Sequence, residues 1–104
     1  MKIAYHVWFS ARSKNDEPEL LEAIHHFMAE QIETNYAVGY QLHRFTDKAN
    51  SESLTDFQCI VNYTSEADQK ASMENMKRAF RNKPHATIMR LTGEFRIAFS
   101  NQDK

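Results

Sequence analysis

Between two β-rich runs the chain carries Thr46-Asp47-Lys48-Ala49-Asn50-Ser51-Glu52-Ser53, and the reading of this stretch decides the fold. It is polar and turn-rich, with no apolar stripe from which a crossover helix could be built. The runs on either side must therefore be antiparallel neighbours joined by a long hairpin. In residues 36–45, Tyr40, Leu42 and Arg44 alternate with Gln41, His43 and Phe45 after Gly39. In residues 54–63, Phe57, Cys59, Val61 and Tyr63 form one face and Asp56, Gln58, Ile60 and Asn62 the other.

Outward from this hairpin the pattern is symmetrical. Residues 2–10 read as a first strand, with Ile3, Tyr5, Val7 and Phe9 on one face and Ala4, His6 and Trp8 on the other. A polar loop then leads to a helix start at which Asp16 caps, Glu19 follows three residues on, and Pro18 is tolerated in the first turn. Leu20, Leu21, Ile24, Phe27, Met28 and Ile32 give that helix one broad stripe. On the far side, Ser65 with Asp68 forms a second capping box, and a thinner stripe of Gln69, Ser72, Met73, Met76, Ala79 and Phe80 runs toward Asn82. Pro84 stops this helix. Residues 86–91 show no clean period, and a helical turn and an irregular approach both fit them. Gly93 breaks the chain before Phe95, Ile97 and Phe99 alternate with Arg96, Ala98 and Ser100 in a last strand. The order is strand, helix, strand, strand, helix, strand over a single α+β domain, 1–104, each helix crossing to a parallel neighbour.

Composition narrows the partners. The formal charge of −1 provides no positive field to collect phosphates, so nucleic acid is not expected. No stretch is long and apolar enough for a membrane span, and His6 interrupts the apolar N-terminus with no cleavage pattern following, so a cytoplasmic location is expected. The single cysteine, Cys59, reads as a buried reduced thiol.

This order in a chain of 104 residues resembles the ferredoxin-like fold, and within it the dimeric α+β barrel superfamily. Tyr5-His6-Val7-Trp8-Phe9 together with Gly39-Tyr40-Gln41-Leu42-His43-Arg44 also resembles a small uncharacterised family of that superfamily. The resemblance implies a four-stranded antiparallel sheet with two helices on one face and a homodimer formed through the other. The residues agree: with helices over Ile3, Tyr5, Val7, Phe9 and Leu42, the opposite face still carries Trp8, Phe45 and Ile60, too apolar to be left wet. Two such sheets about 10 Å apart would place His6, His43, Gln58 and Asn62 in or beside a cavity between them. A small apolar or aromatic ligand is the expected occupant, touching His6, Trp8, His43, Phe45, Gln58, Ile60 and Asn62.

For chemistry, His6 sets a ring that titrates near neutral pH beside the flat surface of Trp8. His85, directly after Pro84, stands where some barrel members resembling this fold present a catalytic or haem-ligating histidine. Cofactor-independent monooxygenases and haem-degrading relatives combine an asparagine, a tryptophan and a histidine or tyrosine in the cavity. The one tryptophan here lies on the first strand, so that set is not reproduced. Polyketide-cyclase-like relatives move a proton with histidine and tyrosine. Alternation puts Tyr5 opposite His6 and in the core, leaving His6 and His85 as the acid–base pair to test. His25 and His26 are about 100° apart on a helix and share no ligand at i+3 or i+4, so neither a metal nor a cofactor is expected. Lys77, Arg78, Arg81 and Lys83 complement a helix C-terminus. Three readings stay open: a dimeric binding protein, a cofactor-independent monooxygenase or cyclase-like enzyme with a histidine acid/base, and a purely structural dimerisation domain.

Overall fold

The computed structural model describes residues 3–102. Strands β1 (Ile3–Ala11), β2 (Gly39–Arg44), β3 (Phe57–Tyr63) and β4 (Thr92–Asn101) form one antiparallel sheet in the order β2-β3-β1-β4. Helices α1 (Glu17–Glu33) and α2 (Glu66–Arg78) follow β1 and β3, and a short α3 (His85–Leu91) precedes β4. This is the ferredoxin-like α+β arrangement expected from the hairpin. One detail differs. The strands that α1 and α2 connect are parallel but not adjacent, because β3 lies between β1 and β2 and β1 lies between β3 and β4.

Cross-strand pairs fix the faces. Tyr5 stands opposite Val61 and Phe99, Val7 opposite Cys59 and Ile97, and Leu42 opposite Cys59, so these side chains share the helix side. Phe9, Phe57, Cys59, Val61 and Tyr63 are buried there beneath Leu20, Ile24, Phe27 and Met28 of α1. Coverage stops at the edge strand: Phe95, Ile97 and Phe99 of β4 lie about half exposed on the same side.

Local starts and stops follow the side chains. Ser65 Oγ accepts from Asp68 N–H at 3.1 Å, the cap expected for α2. Asp16 does not cap α1: a 3₁₀ turn over Lys14–Asp16 precedes the helix, Asp16 has helical angles, and its carboxylate accepts from the Ser13 hydroxyl at 3.0 Å. After α1, Asn35 takes φ 64°, the left-handed angle that asparagine tolerates at a helix end. Helix α2 stops at Arg78, short of Asn82, so Phe80 leaves the stripe and lies exposed. The open segment 86–91 is helical, and Leu91 and Ile88 anchor it to the core. Gly93 lies inside β4 and not before it. A Cβ there would come within 3.3 Å of the Arg12 Cα, where the register between β1 and β4 shifts.

One part of the α1 stripe is polar. Gln31, not Ile32, continues the inward spacing Leu20, Ile24, Phe27, and it is 3% exposed whereas Ile32 is at the surface. Its amide joins a buried chain of hydrogen bonds across the helices: Tyr63 Oη to Ser72 Oγ at 3.2 Å, Ser72 Oγ to Gln31 Oε1 at 3.0 Å, and Gln31 Nε2 to Asn75 Oδ1 at 3.2 Å.

Candidate functional site

The sequence-derived candidates divide between the two sides of the sheet. On the helix-free side, His6 and Trp8 stack with ring centroids 5.6 Å apart. Gln58 Nε2 donates to His6 Nδ1 at 3.3 Å, and the opposite ring nitrogen, Nε2, lies 2.8 Å from Ser100 Oγ. With Nδ1 accepting, Nε2 carries the proton and donates to Ser100, so neighbours within the sheet engage both ring nitrogens. His43 stands opposite Gln58 and bonds the Gln41 amide at 3.1 Å. Trp8, Phe45, Ile60 and Asn62 are half-buried on this face.

His85 lies elsewhere. It opens α3 and lines an apolar cavity of about 130 Å³ on the helix side, floored by Tyr5, Val7 and Cys59 and walled by Phe27, Met76 and Ile88. The cavity is partly enclosed, and Phe95 of β4 stands at its edge strand. The sheet thus separates His6 from His85, and the pair is not formed within the chain. The reason is alternation: His6 points away from the face on which Tyr5 and Val7 meet α3.

The structure brings His85 together with Tyr5 instead, since both line the cavity. Tyr5 packs against the core, as alternation predicts, and it is half-buried, stacked on Phe99 at 5.2 Å and part of the cavity lining. Burial, with a smaller contribution from Cys59, raises its pKa, so the phenol keeps its proton. Cys59 is pushed up to about 12 by burial and is an inert thiol at neutral pH.

His85 sits between two rings, 5.3 Å from Phe27 and 5.6 Å from Phe80. Desolvation lowers its pKa, opposed in part by the Phe80 carbonyl 3.5 Å from Nδ1. A proton on Nδ1 facing that carbonyl leaves Nε2 as the basic nitrogen of a neutral ring. The cavity lining thus includes one phenol and one imidazole, both uncharged at neutral pH, with burial moving each pKa away from neutrality. Thr92 adds no free donor, because its hydroxyl is bound to the Ile88 carbonyl at 2.6 Å.

A second, polar cleft lies on the other side of Phe27 and His85, between the end of α1 and the turn after α2. Sequence reading missed it, along with the cavity, because each lining residue taken singly reads as core or as solvated surface. Among the described residues no cluster of histidine, cysteine, aspartate or glutamate has the geometry of a metal site. No helix among them is long and apolar enough to cross a membrane.

No protein-family model and no curated protein sequence matches the chain. Solved structures share its fold. A variant of SnoaB, a cofactor-independent oxygenase from Streptomyces nogalater, superposes with a TM-score of 0.74 at 12% identity, over 99% of this chain and 94% of that one. A dimeric ferredoxin-like protein from an uncultured marine organism gives a TM-score of 0.70 at 11% identity, over 95% and 92% of the two chains. A dimeric ferredoxin-like protein of unknown function from Jannaschia gives 0.67 at 8% identity, over 98% and 100%. The chain therefore shares the ferredoxin-like fold of these structures.

Proposed function

We propose that this chain forms a homodimer through its helix-free sheet face and binds a small aromatic molecule in the cavity between sheet and helices, where Tyr5 and His85 act on it as acid and base. The observation that carries this reading is the apolar cavity of about 130 Å³ with His85 in its wall. A dry apolar cavity of roughly 150 Å³ accepts benzene, so this one suits a single aromatic ring. The ring would lie against Val7, Phe27 and Ile88, with its polar substituent within the reach of a phenol that donates and an imidazole that accepts. That division of labour suits cofactor-independent proton movement, and one of the structures that share the fold is a cofactor-independent oxygenase.

Dimerisation rests on the other face. Trp8, Phe45 and Ile60 form an apolar surface with no helix over it, and a second copy is its natural cover. His6, His43, Gln58 and Asn62 would then face the space between the two sheets, a second place for a small ligand. Calorimetric titration with phenol tests the cavity: binding that weakens in His85→Ala is expected, and no binding to the wild-type chain overturns the reading. Analytical ultracentrifugation tests the dimer, with Trp8→Asp expected to shift a dimer to monomer. A wild-type chain that sediments as a monomer would remove the dimeric part.

A further inference from the structure

The polar cleft beside the cavity has a volume of about 500 Å³ and shares Phe27 and His85 with the cavity as a common wall. Glu30, Glu33, Thr34, Asn75, Asn82 and Lys83 line it. What it offers a ligand depends on which way the Asn75 amide is turned, and the buried hydrogen-bond chain fixes that. Tyr63 is 2% exposed, and its hydroxyl proton needs an acceptor, which Ser72 Oγ supplies. Ser72 must then give its own single proton to Gln31 Oε1. Gln31 is left to donate through Nε2 to Asn75 Oδ1. The reverse direction would leave a buried phenolic O–H without a partner, a cost the observed direction avoids. Asn75 has therefore spent its carbonyl oxygen inside the protein, and its two N–H groups remain for the cleft.

The other groups complement this donor. Thr34 gives its hydroxyl proton to the Glu30 carbonyl at 2.8 Å, so its oxygen is left to accept. Glu30 is in part engaged by His26 at 3.3 Å. Neither Glu33 nor Lys83 enters an ion pair among the described residues. Two carboxylates against one ammonium repel an anion, while a cation would be repelled by Lys83 and offered no oxygen by the Asn75 N–H groups. A hydroxyl accepts and donates at once, and a group bearing several satisfies both walls.

Resting on the cavity reading above, we propose that the ligand has two parts: an aromatic ring in the cavity and a neutral, hydroxyl-rich group, such as a sugar, in the cleft. Phe27 and His85 line both spaces with their rings packed 5.3 Å apart, so the bond that joins the two parts would pass over this ring pair and not between the rings. Calorimetry with phenol, phenyl β-D-glucopyranoside and phenyl phosphate tests it. The glucoside is expected to bind about tenfold more tightly than phenol, as two or three added hydrogen bonds would allow. Phenyl phosphate is expected to bind no better than phenol. Asn75→Ala and Glu33→Ala should each remove most of the glucoside's advantage and leave phenol affinity unchanged. Glu33 is exposed, so its variant keeps the test valid if loss of the Gln31 contact unfolds the Asn75 variant. Phenol binding with no gain from glucose, or a gain that survives in Glu33→Ala, overturns this inference alone. Failure of both neutral ligands to bind overturns the cavity reading and this inference with it.

Discussion

His6 and His85 lie on opposite sides of one sheet: His6 is tied to Gln58 and Ser100 on the helix-free face, and His85 is set between Phe27 and Phe80 over the helix-side cavity. Their substitutions should therefore separate cleanly. Phenol affinity is expected to fall about tenfold in His85→Ala, which removes one wall of the cavity, and to change less than about twofold in His6→Ala. Equal losses in the two variants would mean that the ligand lies elsewhere.

Acid should weaken the fold through His85. Its folded pKa lies below the ordinary 6.5, so the unfolded chain takes up this proton at a higher pH than the native one. Stability then falls as pH drops through 6.5 and levels off below the lowered native value. In urea titrations between pH 7.5 and 5, the stability difference between wild type and His85→Asn should shift against the wild type as pH falls. A shift in its favour would contradict the desolvated ring.

Cys59 is expected to resist Ellman's reagent. With the thiol pushed to about 12, its thiolate fraction at pH 8 is about 1,000-fold below that of an ordinary cysteine, before any blocking of access is counted. Reaction should become prompt in denaturing urea. Rapid labelling of the native chain would show that the cavity floor opens to solvent.

Ser72→Ala should destabilise the chain by roughly 1–3 kcal/mol, because Ser72 is 0% exposed and its loss strands the Tyr63 hydroxyl and the Gln31 carbonyl together. Gly93→Val should cost a similar amount, roughly 1–3 kcal/mol, since its Cβ would press on the Arg12 backbone at 3.3 Å. Chemical denaturation reads both; a wild-type midpoint in either variant would contradict the contact described.

Much of the fold was legible because strand alternation is a strong signal. Phe57, Cys59, Val61 and Tyr63 alternate without a break, and all four are buried. Residues 86–91 were not legible because α3 spans only seven residues, too few for a period to emerge. Asp16 misled because a cap depends on the backbone angles of the residue, which the Ser13 hydrogen bond and the 3₁₀ turn had already set. Gln31 sat at the right spacing after Ile24 and Phe27, but hydropathy alone passes over a polar side chain whose partners come from another helix. For the candidate site, His85 drew notice only through the family resemblance, and its place in the wall of the cavity comes from the structure. Its companion Tyr5 was not legible, since a cavity is a gap between residues that each look like packing.

The two outermost elements in sequence are neighbours in space, β1 pairing with β4 from Ile3 opposite Asn101 to Ala11 opposite Thr92. During synthesis β1 must therefore wait, one edge bare, until β4 has left the ribosome. Pairing between such distant segments is slow to form, and an unmatched apolar edge is open to wrong partners while it waits. The half-exposed row of Phe95, Ile97 and Phe99 arrives with the strand that ends this interval. The nascent chain is thus most vulnerable to aggregation just before β4 arrives, and a chaperone that shields β1 would act in that window.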